Sequence, residues 1–259
     1  MAKLQHVTAA GLHYTREGEG PALLFIHGAG GNAAVWFQQV EAFAPNHTVI
    51  CVDLPGFGLT QPRVGGFDTD ALGEIVLEVM DHARVDRVTL IGQSLGGWFA
   101  LRAALSAPDR IDRLVLSCSM AGIAHAPAMQ AFAAALASMG PDGLAGLTLS
   151  DEFEKASTAK AFLFRQITAF NPPPDPATMG PLFARDALVA EDELTNIACP
   201  VLMISGEDDP IWPPESLAEM ARLFRQCHQE ILLGTGHSPY FERPDAFNQL
   251  LGQFMDENA

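Results

Sequence analysis

Basic residues are scarce: 15 Lys and Arg stand against 31 Asp and Glu over 259 residues, a formal net charge of −16. Binding nucleic acid requires a basic footprint that displaces phosphate counterions, and this chain has none to offer. An anionic membrane surface is disfavoured as a partner on the same ground. The acidity reads as a means of solubility and self-repulsion. Cysteine is also sparse, with only Cys51, Cys118, Cys199 and Cys227. None forms a CxxC pair, so the close ligand pairs of a zinc site are missing. Buried, inert thiols in a reducing cytosol are the expectation. No apolar run approaches the ~18 residues of a membrane span. Met1 to His6 contains no apolar h-region, so no signal peptide is expected and the expected compartment is the cytoplasm. Internal repeats and low-complexity tails are absent.

What is present is apolar and punctuated. Hydrophobic residue types make up 48% of the chain and charged ones 18%, enough for a large core. Continuous β-type runs occur at Ala22–Ile26, Thr48–Val52, Val88–Ile91, Leu114–Cys118, Val201–Ile204 and Glu230–Leu233. Being continuous, not alternating, each predicts a strand covered on both faces. Helical stretches lie between them: 70–83, 95–106, 214–224 and 244–255, the last two opening on proline. Leu4 to Glu17, turning at Gly11, predicts an antiparallel hairpin. The alternation implies an α/β fold: a mostly parallel twisted sheet of about eight strands with helices on both faces. The rhythm breaks over residues 120–190, a stretch rich in Ala, Phe and Met, where Asn171-Pro172-Pro173-Pro174-Asp175-Pro176 must interrupt any helix. So long a strandless stretch predicts a small helical insertion packed over the sheet, not a loop. The expected division is a core of 1–119 and 191–259 with an insertion of 120–190.

The chemistry gathers where strands end. Gly92-Gln93-Ser94-Leu95-Gly96 is a GxSxG pentapeptide, a weak signal alone. Its setting strengthens it, because a β run leads in and an Ala/Leu helix leads out, as a nucleophile elbow requires. A serine hydroxyl needs a base. His237, in Gly236-His237-Ser238-Pro239, follows the last strand and is placed at the carboxyl edge of the sheet. His27 also ends a strand, but it precedes a glycine-rich loop and is expected to brace it. The base in turn needs an acid to fix its tautomer. Glu207-Asp208-Asp209 follows the fifth run and offers three, while Cys118-Ser119-Met120 after the fourth run offers none.

Taken with His27-Gly28-Ala29-Gly30, Asp53-Leu54-Pro55-Gly56-Phe57-Gly58, Gly206-Glu207-Asp208-Asp209 and Gly236-His237 with Glu242 and Pro244, the chain resembles α/β-hydrolase fold enzymes of the serine esterase and C–C hydrolase type over nearly its whole length. The resemblance implies several roles. It selects Asp209 as the acid of a triad with Ser94 and His237. It implies an oxyanion hole from the backbone N–H groups of Ala29 and Leu95, and makes the insertion a helical cap. No cofactor and no metal are implied. Asp53 reads as a structural brace. Substrate-binding candidates are Gly28, Trp36, Trp212, Ser238, Phe132 and Phe164, with Trp98, Ile211, Tyr240, Met129 and Phe170 as further pocket residues. The expected activity is hydrolysis of small or medium carboxylic esters through an acyl-enzyme on Ser94. The expected partner is a small ester or lactone, and the expected assembly is a monomer or homodimer. Ser94 in place of Asp argues against haloalkane dehalogenase or epoxide hydrolase chemistry. Ser238-Pro239-Tyr240-Phe241 lacks the tryptophan typical of ring-cleavage C–C hydrolases, which lowers that alternative. A C–C hydrolase or enol-lactonase of an aromatic degradation pathway, perhydrolase activity and a ligand-binding receptor on the same scaffold remain the other readings.

Overall fold

The computed structural model describes residues 4–63, 66–69, 71–141, 143–172 and 179–256. Its strands are β1 (Gln5–Val7), β2 (His13–Glu17), β3 (Ala22–Ile26), β4 (Thr48–Val52), β5 (Val88–Gln93), β6 (Ile111–Ser117), β7 (Val201–Gly206) and β8 (Cys227–Leu232). They form one eight-stranded sheet in the order β1-β2-β4-β3-β5-β6-β7-β8. β1 and β2 are the expected antiparallel hairpin, β2 joins β4 antiparallel, and every later pairing is parallel.

Continuous apolar strands arise because alternate side chains feed two separate cores. Leu24, Ile26, Leu90, Leu114, Leu116, Val201 and Met203 point to one face. There they meet helices α2 (Leu72–Ala83), α3 (Gly96–Ser106) and α7 (Pro214–Ala221). Leu23, Phe25, Ile91, Val115, Leu202 and Ile204 point to the other. That face is covered by α1 (Phe37–Phe43), by α8 (Pro239–Glu242) and by α9 (Pro244–Asp256), the last burying Phe247, Leu251 and Phe254. A two-faced strand has no polar side to reveal, which is why period-two alternation is missing from the sequence.

β8 departs from expectation. It begins three residues before the apolar run, and Ile231 and Leu233 are 44% and 63% exposed. Pairing only with β7 at the sheet's edge, it is not covered on both faces.

Between β6 and β7 run α4 (Ala126–Ala137), α5 (Asp151–Ala156) and α6 (Thr158–Ala169) with several single-turn 3₁₀ helices, and no strand occurs among the described residues there. A parallel bridge pairs Ile123 with Val189. Ala124 N–H donates to Val189 O at 2.8 Å, and Val189 N–H to Gly122 O at 2.8 Å. The segment therefore leaves and returns at one tied neck. α6 ends at Ala169, ahead of the prolines, and Pro173 to Pro176 lie outside the described residues. No helix among the described residues is long and apolar enough to cross a membrane.

β3 lies between β4 and β5, so the order of strands reverses at its carboxyl end. Loops leaving β3 and β5 diverge there and open a crevice. Ala29 follows β3 and Ser94 follows β5, so both stand at this point.

Candidate active site

Ser94 is one of four non-glycine residues among those described with a positive φ, at 48°. The left-handed conformation costs a β-substituted residue about 1–2 kcal/mol, so the surroundings must impose it. They do so from both ends. Ser94 N–H extends the β5–β6 ladder by donating to Ser117 O at 2.9 Å, and Ser119 Oγ donates to Ser94 O at 2.6 Å. The helix then starts at once, against the strands. A Cβ on Gly96 would lie 2.2 Å from Ile26 O, and one on Gly92 would lie 2.7 Å from Gly96 O. Any side chain at either position would push α3 off the sheet and relax the turn that holds the serine out.

The acid and base come from neighbouring loops pressed together. A Cβ on Gly206 would fall 1.9 Å from Gly236 O, so the loop after β7 and the loop after β8 touch backbone to backbone. His237 Nδ1 and Asp209 Oδ2 are 2.8 Å apart, and both residues are buried. Asp209 Oδ1 accepts N–H bonds from Ile211 at 2.9 Å and Trp212 at 3.2 Å. The carboxylate is thus held from one side by backbone donors and faces the imidazole with the other. Backbone anchors fix the histidine as well. Gln93 Nε2 donates to His237 O at 3.0 Å, and Gly236 N–H reaches both oxygens of the buried Glu242 at 3.1 Å. Glu242 also accepts Ser150 Oγ at 2.7 Å, tying the histidine loop to the start of α5. Burial raises the Glu242 carboxyl above the usual range, and these hydrogen bonds oppose the rise.

The loop after β3 is braced by groups that do not face the cavity. Leu54 N–H donates to His27 Nε2 at 3.0 Å, so Nδ1 carries the proton and donates to Gly28 O at 2.8 Å. Both ring nitrogens are used, and burial of the ring lowers its pKa below the ordinary imidazole value against the opposing effects of the Gly28 hydrogen bond and the Asp53 charge. Asp53 accepts Ala33 N–H at 2.7 Å and Leu59 N–H at 2.9 Å, the structural role expected of it. A histidine buried neutral makes folding stability pH-dependent with a fixed sign. The unfolded chain binds the proton first, so stability is full above about pH 6.5 and falls below it by up to about 1.4 kcal/mol per pH unit. Urea unfolding on either side of that pH should show a smaller loss in His27→Gln than in the wild type, and equal losses would refute the assignment.

Asn171, visible in the sequence only as the start of a helix-breaking run, ties the insertion to this loop. Its Nδ2 donates to Gly30 O at 2.5 Å and its Oδ1 accepts Gly58 N–H at 2.8 Å. Asn32 Nδ2 reaches Ile167 O at 3.1 Å beside it. These contacts cross more than a hundred residues of chain, and no local pattern announces them.

One cavity of about 430 Å³ receives Ser94, His237, Ala29 and Leu95 together. Phe132, Trp212, Trp98 and Ile211 line it. Phe132 stacks between Phe183 and Trp212, with centroids 4.8 and 4.9 Å away. Gly28 adjoins the serine, since a Cβ there would lie 2.9 Å from Ser94 Cβ. Other candidates are placed elsewhere. Trp36 is buried under the sheet against Phe25 and Tyr240. Phe164 packs on Phe241. Ser238 is buried behind His237, where its side chain hydrogen-bonds Tyr240. Met129 packs on the core and Phe170 is 80% exposed. Aromatic character alone did not separate wall from core. Much of the lining that the sequence left unassigned comes from the insertion, including Leu136, Met139, Leu144 and Phe183.

Cys118 Sγ, an Asp209 oxygen and a His237 ring nitrogen lie within 4.8 Å of one another, a spacing compatible with metal ligation. The ligand chemistry is unsuitable. His237 Nδ1 already engages Asp209, and burial holds the Cys118 thiol protonated by raising its pKa well above the ordinary value. Burial likewise raises Cys51 and Cys227 to about 12 and Cys199 to about 11, as inert thiols require.

The whole frame has counterparts among known proteins. Pimeloyl-(acyl-carrier protein) methyl ester esterase of Vibrio vulnificus is 28% identical over 263 residues, covering 93% of this chain and 96% of its own. 3-Oxoadipate enol-lactonase 2 of Acinetobacter baylyi is 28% identical over 251 residues, covering 94% and 92%. The solved structure of a thermophilic esterase from Thermogutta terrifontis matches with a TM-score of 0.83 and 25% identity over 99% of both chains. A model of the alpha/beta hydrolase family matches residues 23–250, which spans both sheet faces, the insertion and every loop that meets at the cavity, and the chain belongs to that family.

Proposed function

We propose that the chain is a serine carboxylesterase that cleaves small or medium esters, with Ser94, His237 and Asp209 as its triad. The observation that carries this is the meeting of a strained, outward-turned serine and an Asp-oriented histidine at one cavity. His237 Nδ1 is committed to Asp209, which leaves Nε2 to take the Ser94 proton. The alkoxide oxygen bonds to the ester carbonyl carbon, and the carbonyl oxygen gains the negative charge. Leu95 stands at the amino end of α3, where backbone N–H groups lack intrahelical acceptors, and Ala29 lines the same cavity. Their N–H groups are the donors we assign to that oxyanion; one such donor is worth about 3 kcal/mol of barrier. Collapse expels the alcohol, which takes its proton from His237. Water then gives His237 a proton, attacks the acyl carbon and frees the acid with Ser94 restored. In this reading residues 120–190 form a cap, because they supply the outer wall of the cavity.

Steady-state hydrolysis of p-nitrophenyl esters from acetate to decanoate tests the proposal, and the preferred chain length sizes the pocket. Sustained turnover is expected, whereas a single turnover followed by a stable adduct would favour a receptor. A second test addresses the oxyanion loop. Asn171→Ala frees Gly30 O and should lower kcat about tenfold with little change in KM, because the loop serves the transition state more than substrate binding. Asn171→Asp keeps the shape and the acceptor but cannot donate to Gly30 O, so it should be equally impaired. Normal kcat in both would remove Asn171 from this role.

A further inference from the structure

The cavity contains no charge to meet a second carboxylate. Its lining among the described residues holds no Lys, Arg, Asp or Glu, and His237 is its one titratable group. The insertion carries four cations, and all four are directed outward. Lys155 is exposed beside Asp151, Lys160 is exposed near Gln38, Arg165 pairs with Glu154 at 2.8 Å, and Arg185 is exposed. Arg102, one turn along α3 from Trp98, is not in the lining and donates to Ala187 O. Of the neutral donors, those of Thr148 and of the oxyanion loop are committed. Thr148 spends its hydroxyl proton on Ala145 O at 2.8 Å, and the two N–H groups assigned to the oxyanion hole are needed by the reacting carbonyl. The remaining wall is Trp98, Phe132, Phe183, Trp212 and aliphatic side chains. A carboxylate placed here loses its water and gains no counter-ion, with only the buried, unpartnered indole N–H groups of Trp98 and Trp212 as neutral donors beside it. The net charge of −16 opposes the approach of an anion as well.

We infer that the enzyme selects esters whose acyl group is uncharged and apolar, and rejects half-esters of dicarboxylic acids that would place an ionised carboxylate against the aromatic wall. The inference rests on the esterase reading for its turnover test but not for its binding test. The substrates are methyl octanoate, monomethyl suberate and dimethyl suberate, at a pH where the free carboxyl is ionised. Dimethyl suberate separates length from charge. Its kcat/KM should lie within about tenfold of that for methyl octanoate, while monomethyl suberate should fall at least about a hundredfold below both. Monomethyl suberate within about threefold of the dimethyl ester would overturn the inference. The same three compounds are titrated into Ser94→Ala, following the fluorescence of Trp98 and Trp212 in the wall. This measurement decides the matter even if no ester is turned over: neutral esters binding and the half-ester failing supports it, and equal binding overturns it. Leu136, 38% exposed at the cavity's edge, offers the reverse experiment. Leu136→Arg should raise kcat/KM for monomethyl suberate relative to that for dimethyl suberate at least about tenfold. Failure of the half-ester to respond, in a variant that still hydrolyses the dimethyl ester, would show that charge is not what excludes it.

Discussion

Ser94→Ala should lower kcat on a p-nitrophenyl ester by about 10⁴–10⁶-fold while leaving KM near the wild-type value. Everything else that shapes the cavity stays in place: the Asp209–His237 pair, the Leu95 and Ala29 backbone and the aromatic wall. What disappears is the bond-forming oxygen, and with it the covalent intermediate. The substitution also reports on strain. Alanine at φ 48° meets the same left-handed penalty as serine, so stability should change by under about 1 kcal/mol. Ser94→Gly relieves that penalty and should raise stability by about 1 kcal/mol while being equally inactive. Urea denaturation and single-turnover kinetics on the two variants separate the effects. Residual Ser94→Ala turnover within about a hundredfold of wild type would mean that water or another side chain attacks the ester, and would sink the acyl-enzyme mechanism.

The sheet was legible because its strands are written twice, once as apolar runs and again as the glycine-rich turns that end them. Leu23 and Phe25 serve one core and Leu24 and Ile26 the other, so the run is unbroken and the strand unmistakable. β8 was harder because an edge strand has only one flank to bury, and its first residues, Cys227 to Gln229, are too polar to announce it. Ser94, Asp209 and His237 were legible as candidates since each stands just past a strand end, where the sequence changes character abruptly. The cavity wall was not. Phe132 and Phe164 both lie on helices of the insertion, and the sequence assigns both to the pocket. Only the docking of those helices decides that Phe132 stacks on Trp212 while Phe164 meets Phe241. Asn171 illustrates the same limit from the polar side, because its partners Gly30 and Gly58 lie far away in sequence and contribute only backbone atoms. A residue that recognises backbone leaves no complementary residue type to find.

Asp209→Asn should lower kcat by about 10⁴-fold although it removes only a charge and preserves the shape. The reason lies in the two backbone donors. Ile211 N–H and Trp212 N–H both point at Oδ1, at 2.9 and 3.2 Å, so this site must be filled by an acceptor. An asparagine therefore keeps its carbonyl oxygen there and turns its NH₂ toward His237 Nδ1, which sits 2.8 Å from Oδ2 in the native pair. Two N–H groups cannot face each other, so His237 must move its proton to Nε2, and the nitrogen facing Ser94 can no longer accept one. Asp209→Ala imposes no tautomer but leaves both backbone N–H groups without their acceptor, at a cost of about 1–3 kcal/mol for each that stays buried and unpaired. The two variants should consequently rank in opposite orders. Asparagine is the more stable in urea and at least as inactive; alanine is the less stable and no worse a catalyst. If asparagine were instead the better catalyst by a wide margin, the donors at Oδ1 would not be controlling the amide's orientation. The tautomer imposed on His237 could then not be what makes Asp209 necessary.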